Sequence, residues 1–234
     1  MTPAAQSTTA RFIVVLAGID GAGKTTAAHA LSRLLGPSRP TLVLANHSGR
    51  RTVAAWLDRS GRTLPVWVLD LAESAVRSVN VVANHLRARR FDGVVIMDRH
   101  LSCQQALRGS RGFGRSRILG ALARMLPPDA VVFLDVSPEE AYRRIMARGT
   151  DAESLQHLRA YREGYLALPE FAGFYRVAAD APLLAVLDDV EEVISRGTPA
   201  AERPLTGARG YPFPAVAGHS GGTAMPARVE VDHY

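Results

Sequence analysis

The 234-residue chain has one cysteine and one lysine. The solitary Cys103 excludes a disulfide framework and a cysteine-based zinc site, and it fits a reducing compartment. No apolar run approaches the roughly 18 residues that a membrane-spanning helix needs, so no membrane partner is expected. Residues 1–10 have neither a basic start nor an apolar stretch. No signal peptide is therefore read, and the expected location is cytoplasmic. Apolar residues are not scarce: 47% hydrophobic against 21% charged excludes wholesale disorder and supplies a substantial core. Acidic residues fall short of basic ones, leaving a formal net charge of +6. Such a balance suits an anionic partner: a phosphate, a nucleotide or a nucleic acid. Of the 28 basic residues, 27 are arginine, a bias we attribute to coding composition. Against it, Lys24 marks a position that did not accept arginine.

Composition divides the chain into three parts. Residues 1–10 read as a flexible lead. Residues 11–195 alternate short apolar runs with amphipathic stretches. Residues 196–234, rich in glycine and proline, read as a mostly disordered tail. In the middle part, Phe12–Ala17, Thr41–Ala45, Gly93–Met97, Ala130–Val136 and Tyr175–Ala179 have the β-branched character of buried strands. Helical spacing is expected over Gly23–Leu35, Val66–Arg90, Ser116–Leu126, Pro138–Arg148, Ala152–Leu168 and Pro182–Ile194. Ser137 before Pro138 and two glutamates makes a helix start. Strands alternating with helices imply an α/β fold: a five-stranded parallel sheet with helices on both faces. Ligands then bind at the carboxyl ends of the strands.

Gly18-Ile19-Asp20-Gly21-Ala22-Gly23-Lys24-Thr25 matches G-x-x-x-x-G-K-[ST] between a strand and a helix. Glycines let the backbone wrap a phosphate, and the helix N-terminus adds its positive end. Lys24 is expected to reach the β- and γ-phosphates of ATP, a role for a compact ammonium rather than a planar guanidinium. Thr25 is expected to hold Mg²⁺, with Gly18, Asp20, Gly21, Ala22, Gly23 and Thr26 completing the nucleotide cradle. A GTPase would need a base-reading N-K-x-D sequence, and no lysine follows Lys24. A small P-loop kinase remains.

From residue 11 to about 195 the chain resembles the thymidylate kinase family. The phosphate loop carries the resemblance together with Val94-Val95-Ile96-Met97-Asp98-Arg99-His100, which resembles a strand ending in Asp-Arg-Tyr/His. Gln105-Ala106-Leu107-Arg108-Gly109 is similar to the segment that follows it. Val131–Glu139 with Arg143, Arg144, Arg148 and Gly149, and then Leu155–Leu168, resemble the strand, lid entry and helix of the family. The resemblance implies ATP as donor, Mg²⁺, a small phosphate acceptor with a nucleoside monophosphate favoured, dTMP as that acceptor, and a possible homodimer through helices such as Val66–Arg90. It associates Asp20 with the acceptor sugar and the metal, and it places Arg77, 21 residues before Asp98, as a base reader. On residue chemistry, Asp98 can hold Mg²⁺ and Arg99 can clamp the acceptor phosphate. The alternative is a structural ion pair at the strand end. Arg144 and Arg148 are the favoured sources of transition-state charge, against a plain helix-dipole role. Arg77 could equally pair with Glu73, four residues earlier on the helix.

The departures gather on the acceptor side. Glu73 stands where the family has a stacking phenylalanine, and Leu107 stands for a tyrosine. Asn46-His47-Ser48-Gly49 replaces Arg-Glu-Pro-Gly, with Arg50 and Arg51 following. The lid between Gly149 and Leu155 looks short. Glu73, Arg77, Arg99, Gln105 and Asp20 are taken as the acceptor contacts. A related kinase of another nucleotide, nucleoside or small metabolite is the second expectation. A nucleotide-binding or nucleic-acid-associated protein with little turnover is the third, and nucleic acid is the less favoured partner.

Overall fold

The computed structural model describes residues 11–46, 64–149 and 153–197. The expected lead, the tail from residue 198 and the basic pair Arg50 and Arg51 lie outside the described residues, as does most of the lid; Arg196 and Gly197, read as the start of the tail, instead end the last helix.

Five strands form one sheet: β1 (Phe12–Ala17), β2 (Thr41–Ala45), β3 (Val94–Asp98), β4 (Ala130–Asp135) and β5 (Tyr175–Ala178), in the order β2-β3-β1-β4-β5. All four pairings are parallel. The helices are α1 (Lys24–Leu35), α2 (Val66–Ala88), α3 (Leu101–Ser110), α4 (Arg117–Met125), α5 (Pro138–Arg148), α6 (Leu155–Leu166) and α7 (Leu183–Gly197). The expected strands and all six expected helices are present, with ends shifted by a few residues.

Every residue of β1 is buried. Phe12, Val14 and Leu16 enter one cluster with Leu31 of α1 and Val190 of α7. Ile13 and Val15 enter a second cluster with Met97 and with Ala88 of α2. A strand apolar on both faces is what a sheet covered on both sides requires. Truncating a core leucine such as Leu16 to alanine would cost about 2–5 kcal/mol. The register sets Leu16 and Ala45 beside Asp98, and Ala17 beside Phe133. The carboxyl ends of the central strands therefore share one edge.

The caps are local. Ser137 Oγ accepts from the Glu140 amide at 3.4 Å, Ser116 Oγ from Leu119 and Ser154 Oγ from His157. One helix was not expected. In α3, seven consecutive residues from Leu101 to Leu107 are buried, polar ones included. A helix packed all round shows no amphipathic stripe, so periodicity cannot find it. A second feature also departs from simple patterning. Helix α2 buries Asp70, Glu73, Ser74, Arg77, Asn84 and His85, while Trp67, Leu71, Val79 and Leu86 are exposed.

Candidate active site

The phosphate loop joins β1 to α1 at the shared strand edge. Gly21 sits at φ +83°, and a Cβ there would lie 2.5 Å from the Ala141 carbonyl oxygen of α5. Only glycine fits so close an approach. Gly23 caps α1 without a side chain. The first N–H groups of that helix, which have no intrahelical acceptor, therefore face the loop. Ala22 closes the turn by donating its amide to the Ile19 carbonyl at 3.2 Å.

Lys24 is 5% exposed, and its ammonium donates to the Ile19 carbonyl at 2.6 Å. Burial, aided by the nearby Arg99 cation, lowers its pKa to about 8, while Asp20 and Asp98 pull the other way. The lysine therefore stays mostly charged at neutral pH. Thr25 Oγ1 donates to Asp98 Oδ2 at 2.5 Å. Asp98 Oδ1 is buried and has no hydrogen-bond partner among the described residues. A hydroxyl beside an orphaned carboxylate oxygen is a donor set suited to a hard cation such as Mg²⁺. No group of three metal-ligating side chains stands together among the described residues. A cation here would draw its other ligands from phosphate and water.

Arg99 is the one non-glycine residue with positive φ among those described, at +76°. Such a backbone costs an L-residue roughly 1–2 kcal/mol. Its guanidinium pairs with Asp20 of the phosphate loop, and among the charges around it Asp20 does most to hold its pKa well above the ordinary arginine value, against burial. Two chain segments thus bring Asp20, Lys24, Thr25, Asp98 and Arg99 together.

A cleft of about 230 Å³ opens beside the loop, between Gly23, Thr26, Ala27, Arg144, Ala181 and Leu183. Its walls are mostly apolar. Arg144 is fixed there: Nε donates to Glu140 Oε1 at 2.7 Å and a terminal nitrogen to the Ala179 carbonyl at 3.0 Å. Arg143 and then Arg144 hold the Glu140 carboxyl down at about pKa 2, against its partial burial. Arg148 is exposed at the end of α5. The two candidate arginines therefore stand in different settings, and Arg144 faces a base-sized cleft. Asp135, read as structural, is clamped by Arg162 at 2.8 Å and Arg176 at 2.5 Å.

On the other side of Arg99, α2 and α3 meet through charge. Arg77 is 3% exposed and donates Nε to Gln104 Oε1 at 3.1 Å. Its Nη1 has no hydrogen-bond partner among the described residues. Glu73 pairs with Arg111 at 3.0 Å, and Asp70 with Arg108. The helical spacing that could pair Arg77 with Glu73 is turned inward, and both side chains are buried. Gln105 is turned to α4: its amide takes the Ser116 N–H at 3.0 Å and donates to the Ser116 carbonyl at 2.8 Å. The amide that faces Arg77 belongs to Gln104. His85 and His100 touch through Nε2 at 3.1 Å. Burial holds both below the usual histidine range, His100 at about 3.

A family model for thymidylate kinase matches residues 16–190. The chain belongs to the thymidylate kinase family. A probable thymidylate kinase of Archaeoglobus fulgidus is 31% identical over 188 residues, covering 78% of this chain and 94% of that protein. A probable thymidylate kinase of Pyrobaculum aerophilum is 29% identical, covering 78% and 96%. The thymidylate kinase of Xanthomonas euvesicatoria is 29% identical, covering 78% and 82%.

Sequence reading missed Asp70 and Gln104, and it gave Arg108 and Arg111 no ion-pair partner. It also missed Asn84, and the contact by which the Tyr165 hydroxyl donates to the Gly18 carbonyl at 3.3 Å. One signal was available. Asp70, Glu73, Ser74, Arg77, Asn84 and His85 recur at helical spacing, a polar stripe on an otherwise apolar helix.

Proposed function

We propose that the protein transfers the γ-phosphoryl group of ATP to dTMP, giving dTDP and ADP, as a cytoplasmic homodimer. Family membership supports the reaction, and one observation carries the assignment to this site. Lys24, the Thr25–Asp98 pair and the Asp20–Arg99 pair converge on one strand edge beside a glycine-cradled loop. Phosphoryl transfer needs positioned charge more than covalent chemistry.

In this reading the loop amides and Lys24 hold the β- and γ-phosphates. The apolar cleft beside Arg144 takes the adenine, with the guanidinium along its face. Thr25 and Asp98 would hold Mg²⁺, which supplies charge neutralisation between the phosphates when bound. Arg99 clamps the acceptor phosphate, and Asp20 keeps its guanidinium aimed. Arg77 offers its Nη1 donor to the acceptor base, with Gln104 fixing its plane. Arg148, less constrained than Arg144, supplies charge from the lid.

The homodimer rests on the exposed apolar stripe Trp67, Leu71, Val79 and Leu86 along α2. Large apolar side chains left exposed along one helix suit an interface.

The test is ADP formation with Mg²⁺-ATP and a panel of dTMP, dUMP, dCMP, UMP and thymidine, with Lys24→Ala as control. The proposal expects dTMP-dependent, Lys24-dependent turnover. A second reading, a different small acceptor, is favoured by the buried Glu73–Arg111 and Asp70–Arg108 pairs, which put charge where a stacking ring would sit. Lys24-dependent turnover of another panel member without dTMP would select it.

A further inference from the structure

We infer that Asn46 is a positioning residue, oriented by Asn84, that holds Arg99 in the backbone conformation its guanidinium needs. The inference rests on the role proposed above for Arg99.

In an extended strand, successive side chains point to opposite faces. Asp98 ends β3 and faces Thr25, so a regular continuation would send Arg99 away from the loop. The left-handed turn at Arg99, φ +76°, brings two consecutive side chains into one site. A non-glycine residue stays in such a conformation only where its surroundings enforce it.

The enforcement is visible on both sides of the residue. The Arg99 amide donates to the Leu16 carbonyl of β1 at 3.1 Å. The Arg99 carbonyl accepts from Asn46 Nδ2 at 2.7 Å. The Asn46 amide donates to the Asp98 carbonyl at 3.0 Å, so one residue after β2 grips the turn at two points. Asn84 Nδ2 donates to Asn46 Oδ1 at 2.9 Å and to the Ala45 carbonyl at 3.2 Å. With its oxygen committed to Asn84, the Asn46 carboxamide can turn only its N–H₂ toward Arg99. Asn46 is 1% exposed and Asn84 6% exposed, so water does not compete. This relay also couples α2 to the clamp: a shift of the helix that carries Arg77 and Asn84 would be felt at Arg99.

The test is a double-mutant cycle between Asn46→Asp and Arg99→Gly. Asn46→Asp keeps shape and the acceptor for Asn84, but it sets a carboxylate against the Arg99 carbonyl. Turnover is measured with the panel monophosphate that the wild-type protein uses. A wild type inactive with dTMP but active with another member would thus sink only the dTMP assignment. Asn46→Asp should raise KM for the monophosphate about tenfold or more, with ATP affinity nearly unchanged, while the buried carboxylate lowers the melting temperature. Arg99→Gly keeps the turn and removes the clamp, so adding Asn46→Asp to it should change kcat/KM less than twofold. If Asn46→Asp does not fold, Asn84→Asp makes the same measurement from the next residue of the relay. Equal losses in both backgrounds, or a parallel loss of ATP affinity, would overturn the inference.

Discussion

The two sides proposed for the site, one for the donor and one for the acceptor, are built from different materials. The donor side is backbone: a glycine loop, a helix N-terminus and one buried ammonium that rests on a carbonyl. Its local sequence is nearly the whole of its structure. The acceptor side is a network of side chains from α2, α3 and the end of β2, tied by Arg77–Gln104, Glu73–Arg111, Asp70–Arg108 and Asn84–Asn46. A backbone cradle recognises what all nucleoside triphosphates share. A side-chain network can be rewritten residue by residue.

The comparison breaks most sharply at Lys24. Lys24→Ala should lower kcat about a thousandfold with every acceptor, the scale of losing a principal charge-stabilising donor. Steady-state rates across the panel check this, and an acceptor-dependent effect would place Lys24 on the wrong side. Asp98→Asn should come next, at about a hundredfold, together with a higher Mg²⁺ requirement. A titration of rate against Mg²⁺ reads it, and an unchanged requirement would remove Asp98 from the cation site.

On the acceptor side, Glu73→Gln weakens the pair with Arg111. A buried pair broken on one side costs about 3–5 kcal/mol when the other charge is left bare. The neutral amide, which still accepts a hydrogen bond, should cost less. The expected signature is a KM for the monophosphate raised about fivefold with ATP affinity unchanged. Equal changes in both would erase the division between the sides.

The two sides also differ in their response to pH. Lys24 loses its charge as pH rises through about 8, so kcat/KM for ATP should fall on the alkaline side of pH 8. A profile flat to pH 9.5 would contradict a buried, working ammonium. The His85–His100 pair acts in the other direction, and on stability. Its folded pKa values lie below the unfolded value, so the unfolded chain binds more protons between about pH 3 and 6.5. Stability should fall as pH drops below about 6.5, by up to about 1.4 kcal/mol per pH unit from His100. Thermal melts at pH 7, 6 and 5, compared with His100→Asn, measure this effect.

How much of this was legible follows the same division. The strands, the sheet and the loop could be read because their signals are local: continuous apolar runs and a motif of eight residues. The end of β3 came out one residue longer than expected, and that residue is Asp98. Helix α3 escaped because it is buried on every side. The Glu73–Arg111 and Asp70–Arg108 pairs escaped because each joins residues 38 apart across two helices. No single-chain spacing records such a contact. The exposure of the apolar face of α2 was hidden for a related reason. Periodicity reports that a helix has two faces, not which one the fold turns inward.

The most direct test of the account is the rate of ADP formation by the wild-type protein with Mg²⁺-ATP, with and without dTMP. The account predicts turnover that requires dTMP and disappears in Lys24→Ala. ATP binding that is intact and Lys24-dependent, with no ADP formed on adding dTMP, would contradict it on the acceptor side.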